Sequence, residues 1–224
     1  MTAADNNTLN AELATIGGAV SMTAENGSNT IKGNGDDTAS VITLPSLEMT
    51  AKVDNTAKFE DSAINGTVAM TATTGDNTLS LTRTNSGDVS MTSATGNTLS
   101  VTGKASENGE VPATPEEIDY NGTEAIQAQI NGSVTMTSSN GSNTAELIDA
   151  ALKEGISMTA EQKEATVADN TLTIAGSSYV NKVWNAEKSV HEDNTVQQLA
   201  TVGGAVSMTA ADNNTLNAEL ATIG

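Results

Sequence analysis

Residues 66–82, GTVAMTATTGDNTLSLT, and residues 87–103, GDVSMTSATGNTLSVTG, decide how this chain is read. Each opens with an apolar residue, skips one, and reaches Met, then Thr and a small residue: Val68, Met70 and Ala72 in the first, Val89, Met91 and Ser93 in the second. Alternation of this kind is the period-two signature of a strand with one buried face. A Gly/Asp/Asn cluster follows and ends in Asn77-Thr78 or Asn97-Thr98, after which Leu79 and Leu81, or Leu99 and Val101, alternate again. Gly and Asn tolerate positive φ and Asn side chains bond to nearby backbone, so the cluster reads as a turn and each unit as strand, turn, strand, turn.

The same unit runs along the whole chain. All eight methionines are followed by Thr, and the cleanest spacings between them are 21 residues, from Met1 to Met22, Met49 to Met70 and Met70 to Met91. The gaps of 45 residues from Met91 to Met136 and 50 from Met158 to Met208 each fit two units with the Met replaced. Val111-Pro112-Ala113 stands for one replacement and Trp184, ahead of Asp193-Asn194-Thr195, for the other. Counted this way the period holds about nine units of 21–26 residues.

Units this short cannot bury two apolar faces alone and must stack. The expected fold is all-β, a parallel β-solenoid of about nine coils with loop insertions, advancing on the order of 43 Å at the ~4.8 Å spacing of paired strands. Met and Leu/Val columns fill its interior, Thr and Ser form outward ladders, and Asn amides stack as they do in cross-β assemblies. The alternative is an antiparallel meander or sandwich in which the two runs of each unit form a hairpin.

Met1 to Gly17 (MTAADNNTLNAELATIG) recurs unchanged as Met208 to Gly224, giving a period of 207 residues (208 minus 1). Residues 1–224 are therefore expected to form a single continuous repeat array, a window of a longer tandem array or the unit of a head-to-tail polymer, in which Met1 need not be a start.

Composition narrows the function. Thr, Asn, Ser, Ala and Gly dominate and aromatics make up 2%, yet the regular apolar spacing argues against disorder. A formal charge of −19, with nine scattered Lys and Arg, argues against nucleic acid, whose phosphates need clustered cations. The absence of cysteine excludes disulfides, thiolate metal sites and cysteine nucleophiles. No apolar run reaches the length of a membrane span and no basic start followed by an apolar stretch marks a signal peptide, so membrane insertion is not expected of this segment.

The compact coils at 66–82 and 87–103 resemble in rhythm and composition the roughly twenty-residue repeats of filamentous-haemagglutinin-like adhesins and other large tandem-repeat bacterial surface proteins. That resemblance implies an exported, extended, adhesive chain at the cell surface.

Four stretches break the rhythm: 32–46, 104–129, 145–154 and 177–198. The third, AELIDAALKE, places Leu147, Ile148, Ala151 and Leu152 on one side of a helical wheel with Thr144 as N-cap. The second holds Glu116, Glu117, Asp119 and Tyr120; the fourth holds Tyr179, Trp184 and the sole histidine, His191. Solenoid insertions project as loops and carry binding, which makes Tyr120, Tyr179, Trp184 and His191 the candidate interface or ligand contacts.

Chemistry beyond this is sparse. Eight thioethers without Cys and with one His suit core packing better than a soft-metal track. Gly33-Asn34-Gly35-Asp36-Asp37 matches the GxGxD fragment of calcium-binding β-roll repeats, so Asp36 and Asp37 are the candidate calcium ligands and calcium the one cofactor suggested. Such sites need tandem nonapeptides, however, and a single match favours a turn. Seven Asn-x-Ser/Thr sequons follow from composition. Adjacent Glu116 and Glu117 do not face each other across a sugar as glycosidase carboxylates must, and neither a Gly-x-Ser-x-Gly elbow nor a phosphate loop is present, so no enzyme is expected. The function expected is a structural repeat unit of an extracellular filament, adhesive and self-assembling; the alternative is a calcium- or carbohydrate-dependent binding module.

Overall fold

The computed structural model describes residues 1–35, 42–114, 116–163 and 167–224. It is a parallel β-solenoid whose described residues form 25 strands and no helix. The first coil contains β1 (Thr2–Ala3) and β2 (Asn7–Glu12); the second β3 (Val20–Ala24), β4 (Asn29–Asn34) and β5 (Ile42–Leu44). The third is β6 (Leu47–Ala51), β7 (Asn55–Glu60) and β8 (Ser62–Ile64); the fourth β9 (Val68–Ala72), β10 (Asp76–Thr82) and β11 (Asn85–Ser86). The fifth is β12 (Val89–Ser93), β13 (Gly96–Thr102) and β14 (Ala128–Ile130); the sixth β15 (Val134–Ser138), β16 (Ser142–Ile148) and β17 (Ala150–Leu152). The seventh carries β18 (Ile156–Ala160), β19 (Asn170–Ala175), a hairpin of β20 (Ser177–Asn185) and β21 (Val190–Gln198), and β22 (Ala200–Val202). The eighth is β23 (Val206–Ala210), β24 (Asn214–Glu219) and β25 (Ala221–Ile223).

Corresponding strands stack into three parallel sheets of eight, eight and seven strands, here A, B and C. The register is homotypic. In sheet A, Met22, Met49, Met70, Met91, Met136, Met158 and Met208 lie in one row. In sheet B, Leu79 lies on Leu99 and Thr78 on Thr98. The inward columns are buried, Met91 and Leu99 both with 0% exposure, and form one continuous core along the axis. Sheet C closes the coil with Ile42, Leu44, Ile64, Ile130 and Leu152.

Beside the apolar columns runs a buried amide ladder. Asn7 donates through Nδ2 to Oδ1 of Asn29, and the chain continues through Asn55, Asn77, Asn97, Asn143 and Asn170 to Asn214, each link 2.8–3.0 Å. The same Nδ2 groups also bond main-chain carbonyls, as Asn29 does to Thr50 at 2.8 Å and Met22 at 3.1 Å. Buried amides are tolerated only when so satisfied. The Asn-Thr pairs thus begin strands of sheet B rather than sitting in turns at positive φ. Among the described residues no glycine has positive φ; left-handed φ falls instead at Leu13, Asp61, Arg83, Asp149 and Leu220, at the corner between sheets B and C, and at Ser189 in the hairpin. Glycine serves close approach: a Cβ on Gly75 would lie 2.5 Å from the Val53 carbonyl oxygen, and one on Gly33 would lie 2.5 Å from the Phe59 ring.

Three expectations are corrected. The long Met gaps are single coils with insertions, since β12 pairs directly with β15 and β18 with β23; there are eight coils, and seven of them span the 207-residue period. Neither Val111-Pro112-Ala113 nor Trp184 replaces a core Met. The stretch 145–154 is strand, not helix: Asn143, Thr144 and Leu147 lie in register with Asn97, Thr98 and Val101, and Asp149 at φ 45° turns the chain into β17. Stacking on neighbouring coils overrides its local helical preference.

Candidate functional site

Two long segments of described residues leave the stack at the corner between sheets B and C. Residues 103–127 separate β13 from β14 in the fifth coil, and the hairpin β20–β21 separates β19 from β22 in the seventh. In coils without an insertion, single left-handed residues such as Asp61, Arg83 and Asp149 make this corner. At the third and fourth coils it is tied by Arg83, whose Nε and Nη2 donate to both Asp61 carboxylate oxygens at 2.6 Å and whose Nη2 reaches Glu60 at 2.7 Å. The Arg83 hydrogen bond holds the Asp61 carboxyl below its ordinary range against the opposing effect of burial.

The hairpin follows from its sequence. Nine residues alternate on each side of a turn in which Asn185 Oδ1 accepts from the backbone of Glu187 and Lys188 at 3.1 and 3.2 Å, with Ser189 at φ 53°. Alternation puts Lys182, Trp184, His191 and Asp193 on one face, with Lys182 opposite Asp193 and Trp184 opposite His191. The 103–127 insertion folds back on itself through antiparallel bridges at Lys104–Ile126 and Glu107–Thr123, then lays Tyr120 beside Lys182 as a third antiparallel partner. Tyr120 and Lys182 exchange both backbone hydrogen bonds at 2.8 Å.

Side chains lock the insertions together over the sixth coil. Gln198 clamps Ala125, accepting from its N–H at 2.5 Å and donating to its carbonyl at 2.8 Å. Asp119 accepts from the Trp184 N–H, Asn108 from the Val180 N–H and Asn181 from the Gly122 N–H, each at 2.8 Å. Residues far apart in sequence therefore converge. The His191 ring lies between the other two, its centroid 5.2 Å from Tyr120 and 5.1 Å from Trp184, and its Nε2 is 2.8 Å from the Ile118 carbonyl oxygen.

Three of the four aromatic or histidine candidates thus meet, half-exposed, on one platform. Tyr179 lies apart from them. It is buried against Gly122, and its hydroxyl donates to Glu124 at 3.3 Å. Burial, followed by the negative Glu124, pushes the phenol above the ordinary tyrosine range. Asp36 and Asp37 lie outside the described residues. Among those described, no three His, Asp or Glu side chains form a group that could hold a metal ion, and no helix is long and apolar enough to cross a membrane.

The Lys182–Asp193 ion pair at 2.5 Å and Gln198 were not singled out from the sequence, and Asp119 stood out there as one of three neighbouring carboxylates, not as the acceptor of the Trp184 N–H. The alternation on either side of Asn185 signals the hairpin that pairs Lys182 with Asp193; nothing local signals the contacts to the other insertion. Comparison with protein-family models, with curated proteins and with solved structures finds no match to this chain. The platform is read from its geometry alone: two rings and an imidazole, one ion pair and several carboxylates, set to the side of a rod.

Proposed function

We propose that this chain is a structural segment of an extracellular filament or surface fibre, with the paired insertions as its adhesive face. The observation that carries the reading is the division of labour: an unbroken three-sheet stack with one core along its axis, and one laterally projecting platform that the stack does not need for closure. A rod of in-register coils is a spacer, stiff because each coil contacts only its neighbours and repeats their bonds. The resemblance of the compact coils to haemagglutinin-like repeats supports the same reading.

A second reading, a carbohydrate-binding module, is favoured by Tyr120, Trp184 and His191 together. Ring faces stack on the apolar face of a sugar, and flanking acids such as Asp119 and Asp193 accept its hydroxyl hydrogens. The −19 charge favours neutral glycans over anionic ones.

The test compares the whole chain with a variant whose hairpin, 177–198, is replaced by a short turn. Small-angle scattering should give an elongated rod for both, with adhesion to cells or glycan-coated surfaces confined to the intact chain. A compact globule, or equal adhesion by both, overturns the filament reading. For the second reading, Trp184 emission should shift on adding neutral oligosaccharides, and no response to any sugar, with or without calcium, rejects it.

A further inference from the structure

The hairpin has one covered edge and one bare edge. Lys182 exchanges both of its backbone hydrogen bonds with Tyr120, so its N–H and C=O point away from β21. The next residues on that side are satisfied as well: the Val180 carbonyl accepts from Gly109, its N–H donates to Asn108, and the Trp184 N–H donates to Asp119. Backbone groups along an antiparallel strand alternate sides. Val190, Glu192, Asn194 and Val196 of β21 therefore turn towards β20, and His191, Asp193, Thr195 and Gln197 turn outward. Among the described residues, no N–H or C=O of those four has a partner and no strand pairs with that edge.

This edge lies inside the chain. It is on the side away from the fifth coil's insertion, and the next coil, the eighth, turns the same corner at Leu220 with no insertion to cover it. An unpaired edge nine residues long is a template for another strand. Charge commonly blunts such edges, but both acids here are already paired with lysines of their own hairpin, Asp193 with Lys182 and Glu192 with Lys188, each at 2.5 Å.

We infer that β21 pairs antiparallel with β21 of a second copy of this chain, about a two-fold axis at Asn194. The strand VHEDNTVQQ is its own complement. Full overlap sets Val190 against Gln198, His191 against Gln197, Glu192 against Val196, Asp193 against Thr195 and Asn194 against itself, so no two carboxylates are opposed. One step towards the turn sets Asp193 against Asp193, and a second step Glu192 against Glu192. Like charges directly opposed repel. A step the other way sets His191 against Leu199, beyond the strand. In the full register the four outward residues exchange backbone hydrogen bonds pairwise. The exposed Asn194 amide, whose side chain has no partner among the described residues, meets its copy as donor and acceptor.

The contact uses one patch on both copies and closes on itself. It joins two rods laterally and stops at two. A single strand pair buries little area and belongs with the weak, transient contacts. The inference goes beyond the filament and adhesion readings and depends on neither.

The experiment follows the 224-residue chain by sedimentation and light scattering from about 1 µM to about 1 mM. Asn194→Cys and Gln197→Cys chains are oxidised side by side, the protein having no cysteine of its own. At the axis the two 194 positions form a non-hydrogen-bonded pair with Cα atoms ~4.5 Å apart, within disulfide reach, whereas the two 197 positions lie ~20 Å apart. Asn194→Cys should cross-link faster than Gln197→Cys by roughly tenfold or more. Thr195→Pro removes an outward N–H and leaves the bonds to β20 in place, so it should raise the concentration needed for dimers by roughly tenfold or more, with melting and Trp184 emission unchanged. Thr195→Val should dimerise as wild type does. Equal cross-linking at 194 and 197, wild type monomeric throughout, or Thr195→Pro dimerising like wild type overturns the pairing. Thr195→Pro leaves Tyr120, Trp184 and His191 together, so it should adhere as wild type does, and the two proposals fail separately.

Discussion

The fourth coil and the platform beside the fifth and seventh are built on opposite principles. In the fourth coil the buried Met and Asn rows repeat like on like: Met70 lies between Met49 and Met91, and Asn77 between Asn55 and Asn97. On the platform no contact repeats. Tyr120, Trp184 and His191 meet once, held by single bonds such as those from Asp119 and Gln198. A stack spreads the effect of one change over neighbouring coils through a shared core, whereas a platform fixed by unrepeated bonds frays at each one separately.

The sharpest way to break that contrast is to charge the core. Met91→Asp places an unpaired carboxylate in a column with 0% exposure and should destabilise the rod by roughly 4 kcal/mol or more. Denaturant unfolding should show the loss, and a change under about 1 kcal/mol would mean that the columns are not packed as described. Next comes the ladder. Asn77→Ala leaves Asn97 Oδ1 without its donor and Asn55 Nδ2 without its side-chain acceptor, for a loss of about 2–3 kcal/mol by the same measurement; Thr78→Ala on the outward face should cost under about 0.5 kcal/mol.

The corner pair gives a smaller, pH-dependent effect. Because the folded Asp61 pKa is lowered, its stabilisation is fully present above the unfolded carboxylate value of about 3.9 and is lost as pH falls through the lower folded value. Arg83→Met, compared with wild type across pH 2–7, should therefore cost about 1 kcal/mol near neutrality, with the difference vanishing at the acid end. A difference that grows towards low pH would refute this assignment. The smallest global effect is expected on the platform. Gln198→Ala removes the clamp on Ala125 and should change rod stability by less than about 0.5 kcal/mol, while amide exchange in 106–125 accelerates and that of β10 stays constant. Equal loss of protection in both would show that platform and rod unfold as one.

The solenoid was legible because its signal is local and repeated: Val68, Met70 and Ala72 alternate in plain sight, and one Met-Thr pair marks each of the eight coils. The amide row was legible as well, though not its place. Asn77 and Asn97 read as turn residues because short polar side chains bond local backbone in an isolated segment; only stacking supplies the Oδ1 of the next coil and makes burial affordable. The stretch 145–154 misleads for a related reason. Its helical face is real in isolation, but Asn143 and Leu147 gain more from the columns already formed by Asn97 and Val101 than a short helix would return.

The candidate site divides along the same line. Tyr120, Trp184 and His191 stood out as rare residues in interruptions, and the turn around Asn185 carried its own signal. Their meeting did not, since it depends on two insertions leaving the same corner two coils apart, which requires counting the 45- and 50-residue gaps as one coil each. By itself the sequence determined the period, the strand alternation and the identity of the end coils, because these are one-dimensional patterns. The tertiary structure alone decided how many coils there are, which side of each Asn is buried, and which distant residues share the platform, because those depend on register between coils, and register is a property of the stack rather than of any segment within it.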